Sequence, residues 1–127
     1  MIRLTTVFFL IASSVLATLH IIALELFLYW HYEWLDLPMH FLGGSVVALG
    51  IFSLRDFRVP LVKRYVSLIP VTLFVIAVAL LWEFYEIMIG IPIELNHEFD
   101  TSIDLLLGTL GGIVGYVVGE SISNLQD

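Results

Sequence analysis

Six ionisable residues stand in pairs at helical spacing inside apolar stretches: Asp36 and His40, Glu83 and Glu86, Asp100 and Asp104. Residues three or four apart share one face of a helix, so each pair points two side chains the same way. Carboxylates and imidazoles from facing helices are how four-helix bundles build dinuclear metal centres, with Glu-x-x-His pairs and further Glu residues. The Asp-x-x-x-His and Glu-x-x-Glu pairs here are analogous, without being that motif. Five carboxylates and one imidazole with no Lys or Arg beside them cannot all be ionised unless a cation enters; the alternative is protonated carboxyls. The expectation is a divalent metal held by Asp36, His40, Glu83, Glu86, Asp100 and Asp104, with Glu83 or Glu86 acting as a general base. Oxygen-rich donors with one or two histidines suit Zn, Mn, Fe, Mg or Ca, and the residue types do not choose among them.

Each pair also has a plainer explanation. Asp36 and Asp100 suit helix N-caps, and His40 alone could be an interior histidine bonded to Asp36. Glu83 is harder to explain away. It precedes Gly90 by about seven residues, or roughly 10 Å at 1.5 Å per residue. A charge that deep costs about 2.5–3.5 kcal/mol or more, so it faces a bundle interior and has partners. His20 and Glu25 are five apart and only loosely cofacial, suited to pairing with each other or reaching the interface. Glu33, Glu94, Glu98 and His97 read as solvated loop residues.

The elements that must carry these pairs follow from composition. Of 127 residues, 60% are hydrophobic, against five Lys+Arg and twelve Asp+Glu, and the mean hydropathy is +1.02. A soluble domain carries about a quarter charged residues, so this chain is not an ordinary soluble domain, a disordered segment or a nucleic-acid binder with a basic face. The absence of cysteine removes disulfides, thiolate zinc sites and a Cys nucleophile. A spanning helix needs about 20 mainly apolar residues, and four stretches qualify: approximately 4–29, 37–54, 65–89 and 102–119. The predicted fold is therefore all-α, an integral membrane four-helix bundle forming one domain over 1–127, with consecutive helices antiparallel. Pro70 marks a kink or a start, and Asp100, Thr101 or Ser102 a cap for the last span. A cleaved signal peptide (Arg3, then Ser14 to Ala17) competes for the first span, but its apolar run continues to Leu28, too long for a signal core.

Arg3 precedes the first span, and Arg55, Arg58, Lys63 and Arg64 lie between the second and third. The positive-inside rule places both termini and the middle loop in the cytoplasm. Nine of the twelve acids and all four histidines then belong to the outer half. Tyr29, Trp30, Tyr32, Trp34, Trp82 and Tyr85 gather there as an interfacial belt. Gly111, Gly115 and Gly119 repeat every four residues, a spacing that brings helices close within a bundle or in a homo-oligomer. No Gly-Lys-Ser/Thr follows them, so they are not a phosphate loop.

Three ordered motifs carry a resemblance. Asp36-Leu-Pro-Met-His40-Phe-Leu-Gly-Gly, Trp82-Glu83-Phe-Tyr-Glu86 and Asp100-Thr-Ser-Ile-Asp104-Leu-Leu-Leu-Gly-Thr-Leu-Gly-Gly resemble the YjdF-like family of small bacterial inner-membrane proteins. More distantly the chain is similar to VanZ-type proteins, associated with resistance to glycopeptide antibiotics. The resemblance covers roughly residues 36–115 and implies four spans with the motif residues acting as a unit. It supplies no reaction. Both families often carry a polar residue where this chain has Gly108, so a ligand role there is lost.

Three functions compete. One is a metal-binding membrane protein, as a hydrolase of a lipid-linked substrate at the outer leaflet. Another is proton or cation transfer through Glu83, Glu86 and Asp104. The third is a small accessory subunit packed through its glycines. A through-pathway requires polar groups in the inner half, and beyond Ser13, Ser14, Thr18, Ser45 and Thr72 there are few.

Overall fold

The computed structural model describes residues 3–57, 59, 65–90 and 97–126. Arg58, Lys63, Arg64 and Glu94 lie outside the described residues, as do the side chains of His97 and Glu98.

Helix α1 runs over Leu4–Glu25, short of the predicted 29. It stops because Phe27 takes a left-handed backbone, φ 54°, which a residue with a Cβ adopts rarely. A single turn, α2 (Leu28–His31), and a 3-10 turn at Glu33–Leu35 lead into α3, Asp36–Asp56. Asp36 is the first residue of α3 rather than its cap. Helix α4 spans Leu68–Ile89. Pro70 sits in its first turn, where no intrahelical amide partner is lost, so it marks a start and not a kink. Gly90, at φ 73°, ends α4 with its amide bonded to the Glu86 carbonyl, the left-handed closure glycine allows without strain.

Helix α5 covers His97–Gln126, 30 residues, longer at both ends than the predicted 102–119. Asp100, Thr101 and Ser102 are therefore inside the helix and do not cap it. Four helices are long and apolar enough to cross a membrane, and no strand occurs among the described residues. The fold is all-α.

The tightest packing is between non-consecutive helices. A Cβ on Gly111 would overlap the Phe41 carbonyl oxygen, one on Gly115 the Ser45 backbone, and one on Gly119 the Phe52 ring. Positions rise together along α3 and α5, so the two run parallel, backbone nearly touching backbone. Without a hydrophobic force between helices in lipid, such van der Waals contact drives association. The three glycines are thus covered by α3 of the same chain, the within-bundle use of their spacing. Ser45 ties the pair, its hydroxyl donating to the Gly111 carbonyl at 2.9 Å.

Helices α1 and α4 flank this pair in the opposite direction. Gly112 meets Val75, and Gly108 meets Ala79. On α1, Thr5 and Thr6 donate to the Asp56 carboxylate at the end of α3. Ala48, Phe52, Val71, Val75 and Tyr116 form the main buried apolar cluster. Large apolar side chains such as Ile11, Ile69, Leu81 and Met88 are turned outward, the distribution a lipid environment requires.

Candidate functional site

This topology brings four helix ends together. Helices α3 and α5 begin, α4 ends and α1 ends on the same side of the bundle. The sequence pairs lie at those ends, so side chains far apart in the chain meet. Two helix N-termini point the positive ends of their dipoles at this region, which favours acidic residues in the first turns by about 0.3–1 kcal/mol each. Asp36 and Asp100 occupy such positions.

His40 is the centre of the group. It is 6% exposed. Its Nε2 lies 3.2 Å from Asp36 Oδ2, and 3.8 Å from each of Glu83 Oε1, Glu86 Oε1 and Asp104 Oδ2. Despite these neighbours, Nε2 makes no aligned hydrogen bond, and Glu83 Oε1 and Asp104 Oδ1 are likewise buried without one. A buried polar atom left unpaired costs about 1–3 kcal/mol, more if charged. Three such atoms on residues of one buried cluster, with His40 common to both sets of possible donors, make an arrangement that a cation would relieve.

The ligand geometry is consistent with that. Asp36, His40 and Asp104 each offer an atom within 4.8 Å of the others, and so do His40, Glu83 and Glu86. Oxygen and nitrogen donors sit about 2.0–2.2 Å from Zn or Mg, which places neighbouring donors about 3 Å apart. The 3.8 Å contacts need a closure of under about 1 Å to reach it.

Other residues orient the carboxylates. The Trp82 indole donates to Glu86 Oε1 at 2.7 Å, and the Thr101 hydroxyl to Glu83 Oε2 at 3.0 Å. Trp82, expected in an interfacial belt, and Thr101, expected at a cap, both face the site. The four-residue step from Trp82 to Glu86 carried a signal for the first. Nothing in the sequence marks the second, because it depends on how α4 and α5 are rotated.

Asp100 is half-buried in the first turns of α5, on the face shared with Asp104. It is not among the groups whose donor atoms converge within 4.8 Å. His20 does not turn to Glu25, which is exposed, but to Tyr29, with Nδ1 and the phenol oxygen 2.8 Å apart. Tyr29 lies in α2, beyond the crossing helix. Burial, with the Asp36 and Glu86 carboxylates nearby, holds its phenol well above the ordinary range. Tyr29 therefore donates and His20 accepts. The imidazole also stacks edge-on to Trp82, ring centres 5.0 Å apart, so it borders the site through the residue that orients Glu86. Of the expected aromatic belt, Trp30, Tyr32 and Trp34 are exposed, while Tyr29 is buried.

Arg3 and Arg55 sit at the opposite end, where α1 begins and α3 ends. Among the described residues, the end carrying the cluster has no Lys or Arg.

The family described as "Predicted membrane protein (DUF2238)" matches residues 1–124. No curated protein and no solved structure matches the chain.

Proposed function

The chain belongs to the DUF2238 family of membrane proteins, and we propose that its carboxylate–histidine cluster binds a divalent metal ion within the bundle. The observation that carries this reading is the His40 imidazole, buried and ringed by four carboxylates within 4 Å, with no Lys or Arg near to balance them among the described residues. Each buried carboxylate that stays ionised carries a desolvation penalty of several kcal/mol, and one cation offsets several of them at once. Asp36, His40, Glu83, Glu86 and Asp104 supply the donors, and Asp100 adds negative charge close by. The unaligned atoms on His40, Glu83 and Asp104 fit donors directed at a shared point rather than at each other.

The chemistry this supports is hydrolysis of a lipid-linked substrate. A bound divalent ion lowers the pKa of its water toward neutrality. Glu86, held by Trp82, and Glu83, held by Thr101, are placed to take the proton, whichever is not itself a donor to the ion. The positive-inside distribution of Arg3, Arg55, Arg58, Lys63 and Arg64 supports a site at the outer face, with a bacterial or archaeal inner membrane as the proposed location.

Proton or cation transfer is the weaker reading. The Ser13 and Ser45 hydroxyls are spent on backbone carbonyls, and the cavity inward of the cluster is lined mainly by apolar side chains and glycines.

Elemental analysis of detergent-purified protein, beside a Glu83→Gln/Glu86→Gln double variant, tests the proposal. Stoichiometric divalent metal in the first and its loss in the second supports it. Wild-type protein without metal after supplementation refutes it.

A further inference from the structure

Directly beneath the cluster lies an apolar cavity of about 200 Å³. Every crossing helix lines it: Leu16 from α1, Gly43 and Val47 from α3, Val78 from α4 and Gly108 from α5, with His40 at its polar end. The lining runs from His40 to Val47 on α3, seven residues or roughly 10 Å along the axis. An engineered apolar cavity of about 150 Å³ takes up benzene and excludes water, so this one has room for an apolar guest. Water is a poor occupant, since a buried water needs two to four polar partners. Among the described residues, the polar side chains in the lining are His40 and Trp82. The Trp82 indole is committed to Glu86, and His40 Nε2 faces the carboxylates.

The cavity owes its space to missing side chains. A Cβ at Gly43 would meet nothing within 4 Å, and one at Gly108 would make only ordinary contacts. Gly44, next along, is the opposite, its face filled by α5 backbone. Close packing thus explains Gly44 and leaves Gly43 unexplained by packing.

We propose that this cavity holds a single hydrocarbon chain of a membrane lipid whose anionic, phosphate-bearing head lies at the carboxylate–histidine cluster. The surrounding bilayer presents such chains at the depth of the four spans. An amphiphile matches the site end to end: an apolar slot closed at the top by the cluster. The anionic head rests on the metal-binding reading, because the four carboxylates repel a phosphate and no Lys or Arg is described at that end. The chain itself depends only on the cavity.

The test uses full-length protein in phosphatidylethanolamine vesicles and a monoacyl glycerol phosphate carrying a diazirine midway along its chain. Light-induced labelling should map to peptides containing Gly43–Val47 and Val78. Gly43→Ala leaves room and should retain the label. Gly43→Leu fills the slot and should cut labelling at least tenfold, with bound metal unchanged from wild type. Undiminished labelling in Gly43→Leu, or labelling confined to the outward faces of α1 and α4, overturns the proposal. Metal-free wild-type protein with Gly43-dependent labelling keeps the chain site and refutes the metal-held head, whereas metal-loaded protein with no cavity labelling refutes the chain site and leaves the metal standing.

Discussion

Trp82 Nε1 donates to Glu86 Oε1 at 2.7 Å across one turn of α4, orienting that carboxylate within the cluster. Groups that orient a metal's ligands typically contribute 10–100-fold to affinity. Trp82→Phe keeps an aromatic ring and removes the donor. It should weaken metal binding by about tenfold with the helix content unchanged. Competition against a metal-sensitive dye, with circular dichroism on the same sample, checks both. Unchanged affinity would leave the indole a packing role only.

Neighbouring glycines should behave oppositely. A Cβ at Gly44 overlaps the Gly108 carbonyl oxygen, whereas one at Gly43 meets nothing. Gly44→Ala must push α3 and α5 apart and should cost about 1–3 kcal/mol, as overpacking does. Gly43→Ala should be neutral or gain up to about 1 kcal/mol, the helix preference of Ala over Gly. Thermal unfolding of both variants in one detergent measures the contrast, and equal effects would contradict the α3–α5 packing.

At the far end, the Asp56 carboxylate accepts from both Thr5 and Thr6, and the Ser53 hydroxyl donates to Thr6. Thr5, Thr6 and Ser53 are all buried. Asp56→Ala strands these hydroxyls and should destabilise by about 1–3 kcal/mol, while Asp56→Asn retains an acceptor and should cost less. Metal content should be unaffected in both, since the network lies at the other end of α3.

Metal binding should weaken on acidification. The proposed donors are His40 and carboxylates, which bind metal only when deprotonated, so protons compete with the ion and are released as it binds. A titration that records metal uptake and proton release together should find affinity falling steadily below neutral pH. Affinity independent of pH would exclude imidazole and carboxylate donors.

The four spans were legible because length and hydropathy determine a crossing helix, and the pairs Asp36/His40 and Glu83/Glu86 because helical spacing puts them on one face. Helix ends were not. The stop at Phe27 falls within Leu26-Phe27-Leu28, where no Gly or Pro signals a left-handed residue. Helix α5 continues past Gly119 through Glu120-Ser-Ile-Ser-Asn124, too polar to read as span though well able to stay helical. That Asp104 would meet His40 while Asp100 stood slightly apart depends on the rotation of α5 about its axis. Gly111, Gly115 and Gly119 set that rotation by their contact with α3, and a glycine stripe alone does not say which helix covers it.

The central claim is that the His40 imidazole and its surrounding carboxylates coordinate one ion together. Pulsed electron paramagnetic resonance of Mn2+ titrated into purified protein tests this most directly, because an imidazole nitrogen bound to Mn2+ modulates the electron spin echo. The account predicts nitrogen modulation at one bound equivalent, abolished in His40→Ala. A spectrum of fully hydrated Mn2+ in the wild-type protein, or nitrogen modulation that survives His40→Ala, would contradict it.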